Sequence, residues 1–284
     1  MWRGYHKLGS DEMFNRVAVA APQELPTASP SGRIRCIDGD SKFALVSDDL
    51  IDAAMCQEIL DKAQTQGFSD ALLNTGDDRQ EIGELSPTIR KGKRSIIHDT
   101  SLAAGLWERI ALLVPNQDTV PGARYKGKWR ATSVNPCLRV LKYEVGDHFE
   151  LHQDGSYTSQ PSRSADGSVV PGRRSFLTLQ IYLNQGGGVD FAGGSTRFFK
   201  DVAKIIGAAG DVQAEEDLSA QVNNTSDRTG NEGVDEAIED VVPRFGRVLL
   251  FQHNVWHCGE RVYAGCKYVL RTEIMYEETS GEPR

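Results

Sequence analysis

The chain has 284 residues, of which 39 % are apolar and 25 % charged. That composition excludes collagen-like, coiled-coil and wholly disordered chains, and the length is ample to bury a core without staples. A formal net charge of −8 with no basic stripe argues against nucleic acid or an anionic membrane surface as a partner. No stretch approaches the ~18 consecutive apolar residues of a membrane span, and no secretory apolar block lies near Met1. Cys36, Cys56, Cys137, Cys258 and Cys266 are odd in number and form no Cys-x-x-Cys pair. They read as free thiols of a reducing compartment, so a soluble, intracellular and cytoplasmic protein is expected.

Residues 1–32, rich in Pro, Ser and Ala, read as a poorly ordered leader. Residues 33–136 read as an N-terminal helical support region that braces the C-terminal half. Phe43 to Val46 suggests a short strand, and Ser47 then offers an N-cap oxygen ahead of Asp48 and Asp49. Leu50, Ile51, Ala54, Met55, Ile59 and Leu60 follow helical spacing, and Gly67 stops that helix. A second helix is predicted from a cap near Asp99 or Thr100, through Leu102, Leu106, Trp107, Ile110 and Leu113, to Pro115. Both apolar stripes are expected to face the core.

From Cys137 the pattern changes. Leu138 to Tyr143, Phe176 to Leu183, Val248 to Phe251 and Lys267 to Tyr276 are strand-like and punctuated by Gly and Pro turns. No helical pattern falls between Cys137 and Asn184, which favours antiparallel β over βαβ. The acidic, small-residue stretch 200–242 reads as a solvated insertion between strands within a domain spanning 137–280.

His152-Gln-Asp154 is the first chemical signal. On a strand, positions i and i+2 share a face, so an imidazole and a carboxylate can grip one ion, and two histidines with one carboxylate suit Fe(II) oxygen chemistry. Alone the pair is weak, because chance supplies it often. His257 strengthens it: a turn comes next, then a strand bearing Lys267 and Arg271, four apart and so on one face. An inward cation needs an anion. A dicarboxylate co-substrate would supply one, with Lys267 on its distal carboxylate, whereas Arg271 could instead pair with Glu273 or another acid.

Several spacings together make the chain similar to the 2-oxoglutarate/Fe(II)-dependent dioxygenases, specifically the prolyl 4-hydroxylase-like branch. Tyr143, Gly146 and Phe149 precede His152-x-Asp154 at the family's spacing. Thr178 and Tyr182 resemble its Thr-x-x-x-Tyr-Leu-Asn strand, Gly193-Gly-Ser-Thr196-Arg-Phe198 its Gly-Gly-x-Thr-x-Phe turn, and Val262, Gly265 and Lys267 succeed His257 as in that family. The resemblance covers about 137–277. It implies an α+β, mainly β chain with a double-stranded β-helix (jelly-roll) core. It also implies His152, Asp154 and His257 as iron ligands and Lys267 as the residue holding the distal carboxylate. Tyr143 and Thr178 would line the co-substrate pocket, and Arg271 would be a second co-substrate or substrate-carboxylate contact. His253 is an alternative third ligand, but its spacing to Lys267 departs from the family's.

The implied reaction hydroxylates an unactivated C–H, coupled to decarboxylation of 2-oxoglutarate to succinate. Fe(II), 2-oxoglutarate and O₂ would be required, with ascorbate as an optional addition. Peptidyl proline and a small amino-acid-like molecule both remain as substrates, with no nucleic acid or membrane partner expected. Arg139, Arg173, Arg174 and Trp256 are candidates for the pocket mouth. Two other classes stay open: a cupin-like metal enzyme without 2-oxoglutarate, and a non-catalytic binding module on the same fold.

Overall fold

In the computed structural model the residues described are 33–37, 42–74, 83–84, 87–115, 128–163, 167, 169–170, 172–199 and 237–279. The leader 1–32 and most of the acidic stretch, 200–236, lie outside them. Two antiparallel sheets form a double-stranded β-helix core. The larger runs, edge to edge, through Arg33–Ile37, Lys42–Ser47, Val248–Gln252, Arg174–Tyr182, Lys267–Thr279, Cys137–Tyr143, Lys93–His98 and Ser69–Asp70, and Lys128–Val134 pairs with the far end of Lys267–Thr279. The smaller runs through Ala237–Val241, Thr196–Phe199, His257–Gly259, His148–His152 and Arg90–Lys91.

The strands expected from Cys137 onward are all present, each within a few residues of its expected ends. The first helix is Ala53–Gln66, and its cap is Asp52 rather than Ser47: Asp52 Oδ1 accepts the Met55 N–H at 2.8 Å. Ser47 instead closes a strand, and Asp49 takes a left-handed turn (φ 65°) that delays the helix. Gly67 does end the helix, at φ 85°, donating its N–H to the Ala63 and Gln64 carbonyls. The second helix, Thr100–Ile110, is capped by Asp99 and buries Leu102, Leu106 and Ile110. Both helices pack their apolar faces on the larger sheet.

The 33–136 region also supplies strands to that sheet, among them Lys93–His98 and Lys128–Val134. At the other end of the acidic stretch, Ala237–Val241 is an edge strand rather than solvated loop. It is registered on Thr196–Phe199, and Asp240 makes a bidentate pair with Arg197 at 2.6 and 2.8 Å. Among the described residues, Cys56, Cys137, Cys258 and Cys266 are free thiols, and no helix is long and apolar enough to cross a membrane.

Candidate metal centre

Ladder register builds the site. His152 ends its strand directly opposite His257 on the neighbouring one, so the two imidazoles lie side by side with centroids 4.2 Å apart. Asp154 comes two residues later, and its N–H is held by the His253 carbonyl at 2.9 Å. Its carboxylate oxygens lie 3.7 Å from His152 Nε2 and 3.9 Å from His257 Nε2. One donor atom from each of the three residues falls within 4.8 Å of the others, as one ion requires.

The protonation pattern fits a cation. His152 Nδ1 lies 2.7 Å from the Glu150 carbonyl and His257 Nδ1 lies 2.9 Å from the Val255 carbonyl. A carbonyl only accepts, so each Nδ1 carries the hydrogen and each Nε2 presents a bare lone pair to the Asp154 side. Burial pushes both imidazole pKa values down despite the pull of Asp154, with His257 adding to the shift at His152. For Asp154, burial works towards a raised pKa. Arg271 and the neighbouring histidines outweigh it and hold the carboxyl well below its usual range. Two neutral imidazoles and one carboxylate are a suitable donor set for Fe(II). Phe149 stacks on His152 at 3.6 Å, and Phe251 meets His257 edge-on at 4.7 Å, sealing the outer faces of both rings.

The larger sheet supplies the rest. Cross-strand register sets Lys267 opposite Tyr143, Arg271 opposite both Arg139 and Gln180, and Glu273 opposite Thr178. Opposed residues share a face, so these side chains all project to the same side of the sheet. Lys267 is 3 % exposed, donates from Nζ to the Gly194 carbonyl at 2.7 Å and lies 5.4 Å from the Tyr143 and Tyr182 ring centroids. Among the described residues no carboxylate comes within ion-pair distance of it. Burial lowers its pKa to about 8, offset in part by Cys258 and Glu260.

Arg271 turns onto Asp154, with a terminal nitrogen 2.7 Å from Oδ1, and lies 3.9 Å from Glu273. Thr178 donates to Asp154 Oδ2 at 2.5 Å. His253 stands behind the three-residue group: its ring bonds to Ser175 at 2.9 Å and Thr178 at 3.0 Å. Arg139 is buried against Glu273 at 3.0 Å, with Asn135 on the other carboxylate oxygen, so it braces the layer behind the site rather than lining a mouth.

Arg90 was not expected. Its guanidinium lies 4.6 Å above the Phe149 ring and is hydrogen-bonded to Tyr143, while its Nε has no partner among the described residues. Burial, reinforced by Arg271, pulls its pKa down. Only the Ile-Arg-Lys run before Gly92 marked this cation, and a two-residue edge strand has no periodicity to reveal it.

Stability should record the buried histidines. The His253 pKa is lowered from 6.5 to about 4, mainly by burial. As pH falls below about 6.5 the unfolded imidazole takes its proton first, so stability is complete above that pH and drains away down to about 4. The loss is on the order of 3 kcal/mol for this group alone, and His152 and His257 act in the same direction. Melting curves of metal-free protein between pH 7.5 and 4.5 check this, and a flat profile would contradict the burial of these rings.

Residues 138–272 match the family model of the 2OG-Fe(II) oxygenase superfamily, named for its Fe(II) and 2-oxoglutarate. No curated protein matches the chain. Solved structures similar to it include a viral collagen prolyl hydroxylase of Paramecium Bursaria Chlorella virus-1 (14 % identity, 83 % of this chain and 97 % of that one, TM-score 0.42). A prolyl hydroxylase of Trichoplax adhaerens, solved with a hypoxia inducible factor peptide fragment, is also similar (16 %, 81 % and 82 %, 0.45). A third is HygX of Streptomyces hygroscopicus with nickel, 2-oxoglutarate and hygromycin B (16 %, 84 % and 84 %, 0.44). The matched segment contains both histidines and the carboxylate of the cluster as well as Lys267 and Arg271, and the match identifies that segment, 138–272, as a 2OG-Fe(II) oxygenase region, an oxidoreductase.

Proposed function

We propose that this protein hydroxylates an aliphatic C–H of a peptidyl proline or a small amino-acid-like molecule, with His152, Asp154 and His257 holding Fe(II) and Lys267 holding the distal carboxylate of 2-oxoglutarate. The observation that carries the reading is the pairing of two Nε2 lone pairs and a carboxylate with a buried ammonium that has no anion of its own among the described residues. Bound iron, 2-oxoglutarate and O₂ together would supply the oxidising power, releasing succinate and CO₂.

The chain's own residues would do the positioning. Neutral imidazoles bind metal at pH 7 without first losing a proton. Lys267 is buried beside the Tyr143 and Tyr182 rings, where exclusion of water would strengthen an ion pair with an incoming carboxylate. Arg271 neutralises Asp154 in the metal-free protein. With a divalent ion held by Asp154, Arg271 would be released to contact a second carboxylate, and Arg90 has an Nε with no partner among the described residues. The branch resemblance favours proline; the two guanidiniums favour a substrate with an acidic group.

Anaerobic absorption spectroscopy tests the proposal. Adding Fe(II) and then 2-oxoglutarate should give a weak visible charge-transfer band that requires both. The affinity for 2-oxoglutarate should fall as pH rises through about 8, where Lys267 loses its proton. Iron binding without the band would favour the cupin-like alternative.

A further inference from the structure

A chain of hydrogen bonds runs behind the metal cluster, and the direction of every hydrogen in it is fixed. Ionised Asp154 can only accept, so the single Thr178 hydroxyl hydrogen goes to Oδ2. Thr178 Oγ1 must then accept from His253 Nδ1, 3.0 Å away. That nitrogen therefore carries a hydrogen whether the ring is neutral or charged. In the neutral ring Nε2 is an acceptor and takes the Ser175 hydroxyl hydrogen at 2.9 Å, while Ser175 Oγ accepts the Tyr157 N–H at 2.8 Å. Tyr157 N–H, Ser175, His253 and Thr178 thus all donate toward one carboxylate oxygen. His253 also holds Asp154 from the other side, its main-chain carbonyl accepting the Asp154 N–H at 2.9 Å. The relay is well protected: Ser175 and Thr178 are fully buried, and His253 is 7 % exposed.

We infer that His253 is a positioning residue of the metal centre, acting through Thr178 to lock the Asp154 carboxylate by its Oδ2, so that Oδ1, which Arg271 holds at 2.7 Å in the metal-free protein, is the oxygen that an ion would take over. This rests on the reading of Asp154 as a ligand. It assigns His253 a role other than that of a third ligand, for which its ring is unsuited because both nitrogens are already engaged. Partners of this kind orient a ligand before metal arrives, and their loss commonly weakens metal binding 10–100-fold.

Co(II) titration of the apoprotein and its variants tests the inference. Thr178→Val removes the hydroxyl at nearly constant volume, and His253→Phe removes the ring nitrogens. Each should raise the Co(II) dissociation constant about 10–100-fold, whereas Thr178→Ser, which keeps the hydroxyl, should restore it towards the wild-type value. A folded Thr178→Val protein with wild-type Co(II) affinity overturns the role. Should the variants fail to fold, ¹⁵N-histidine NMR of the metal-free wild type still decides. Hydrogen on Nδ1 with bare Nε2 is expected at His253, and the opposite tautomer overturns the relay. Failure of the wild type to bind Co(II) at all would overturn the ligand assignment instead, and the tautomer would then report on the relay separately.

Discussion

Asp154→Asn is expected to abolish turnover and to weaken Fe(II) or Co(II) binding by more than the 10–100-fold typical of losing an outer partner. The substitution keeps the volume and can still accept from Thr178, but it removes the one negative charge of the cluster. Arg271 then loses the oxygen that it meets at 2.7 Å. Its side chain keeps some solvent and has Glu273 at 3.9 Å, so the metal-free protein should lose only about 1–3 kcal/mol. Urea unfolding of the apoprotein and a Co(II) titration separate the two effects. Tight metal binding by the variant would remove Asp154 from the ligand set.

Lys267→Met should produce the opposite combination, a gain in stability with a loss of function. A fully buried ammonium whose hydrogen bond goes to a carbonyl is an uncompensated charge in the empty protein. Methionine fills similar space without it, so the melting temperature should rise. The 2-oxoglutarate dissociation constant should increase about 100-fold or more, as expected when one partner of a desolvated charge pair is deleted. Co(II) affinity should stay the same, because Lys267 donates to the Gly194 carbonyl and to none of His152, Asp154 and His257. Unchanged 2-oxoglutarate affinity would transfer the distal carboxylate to Arg271.

What was legible in the sequence was the strand alternation and the family spacing of the site residues. Lys267 and Arg271, four apart, share a face because a ladder converts spacing directly into facing, whereas Asp154 lies two residues past His152, beyond the end of its strand, and is held there by the His253 carbonyl. Features that depend on which strands become neighbours were hidden. Nothing local ties Arg90 to Phe149, since their contact arises only when Arg90–Lys91 pairs with His148–His152. The same holds for His253. Its link to Thr178 needs Arg174–Tyr182 registered on Val248–Gln252, and from spacing alone it could only be weighed as a spare ligand. Lys93–His98 has no visible signature because Arg94 and Ser95 are buried within it, which removes the apolar alternation that marks a strand. The Asp52 cap is equally hidden, because Ser47 offers as good an oxygen and only the left-handed turn at Asp49 chooses between them.

The place of Lys267–Thr279 in the larger sheet bears on how the protein is made. It is the last strand in sequence among the described residues, yet it lies between Arg174–Tyr182 and Cys137–Tyr143 and also pairs with Lys128–Val134. During synthesis those earlier strands leave the ribosome with their central edges bare, and they stay so until the final strand emerges. The nascent chain is therefore exposed to wrong edge-to-edge pairing through much of the second half of its elongation and should lean on chaperones. Closing such distant pairs is also slow. Lys267 and Arg271 lie on that same strand, so a ribosome-bound chain lacking it would carry both histidines and Asp154 but neither of these cations.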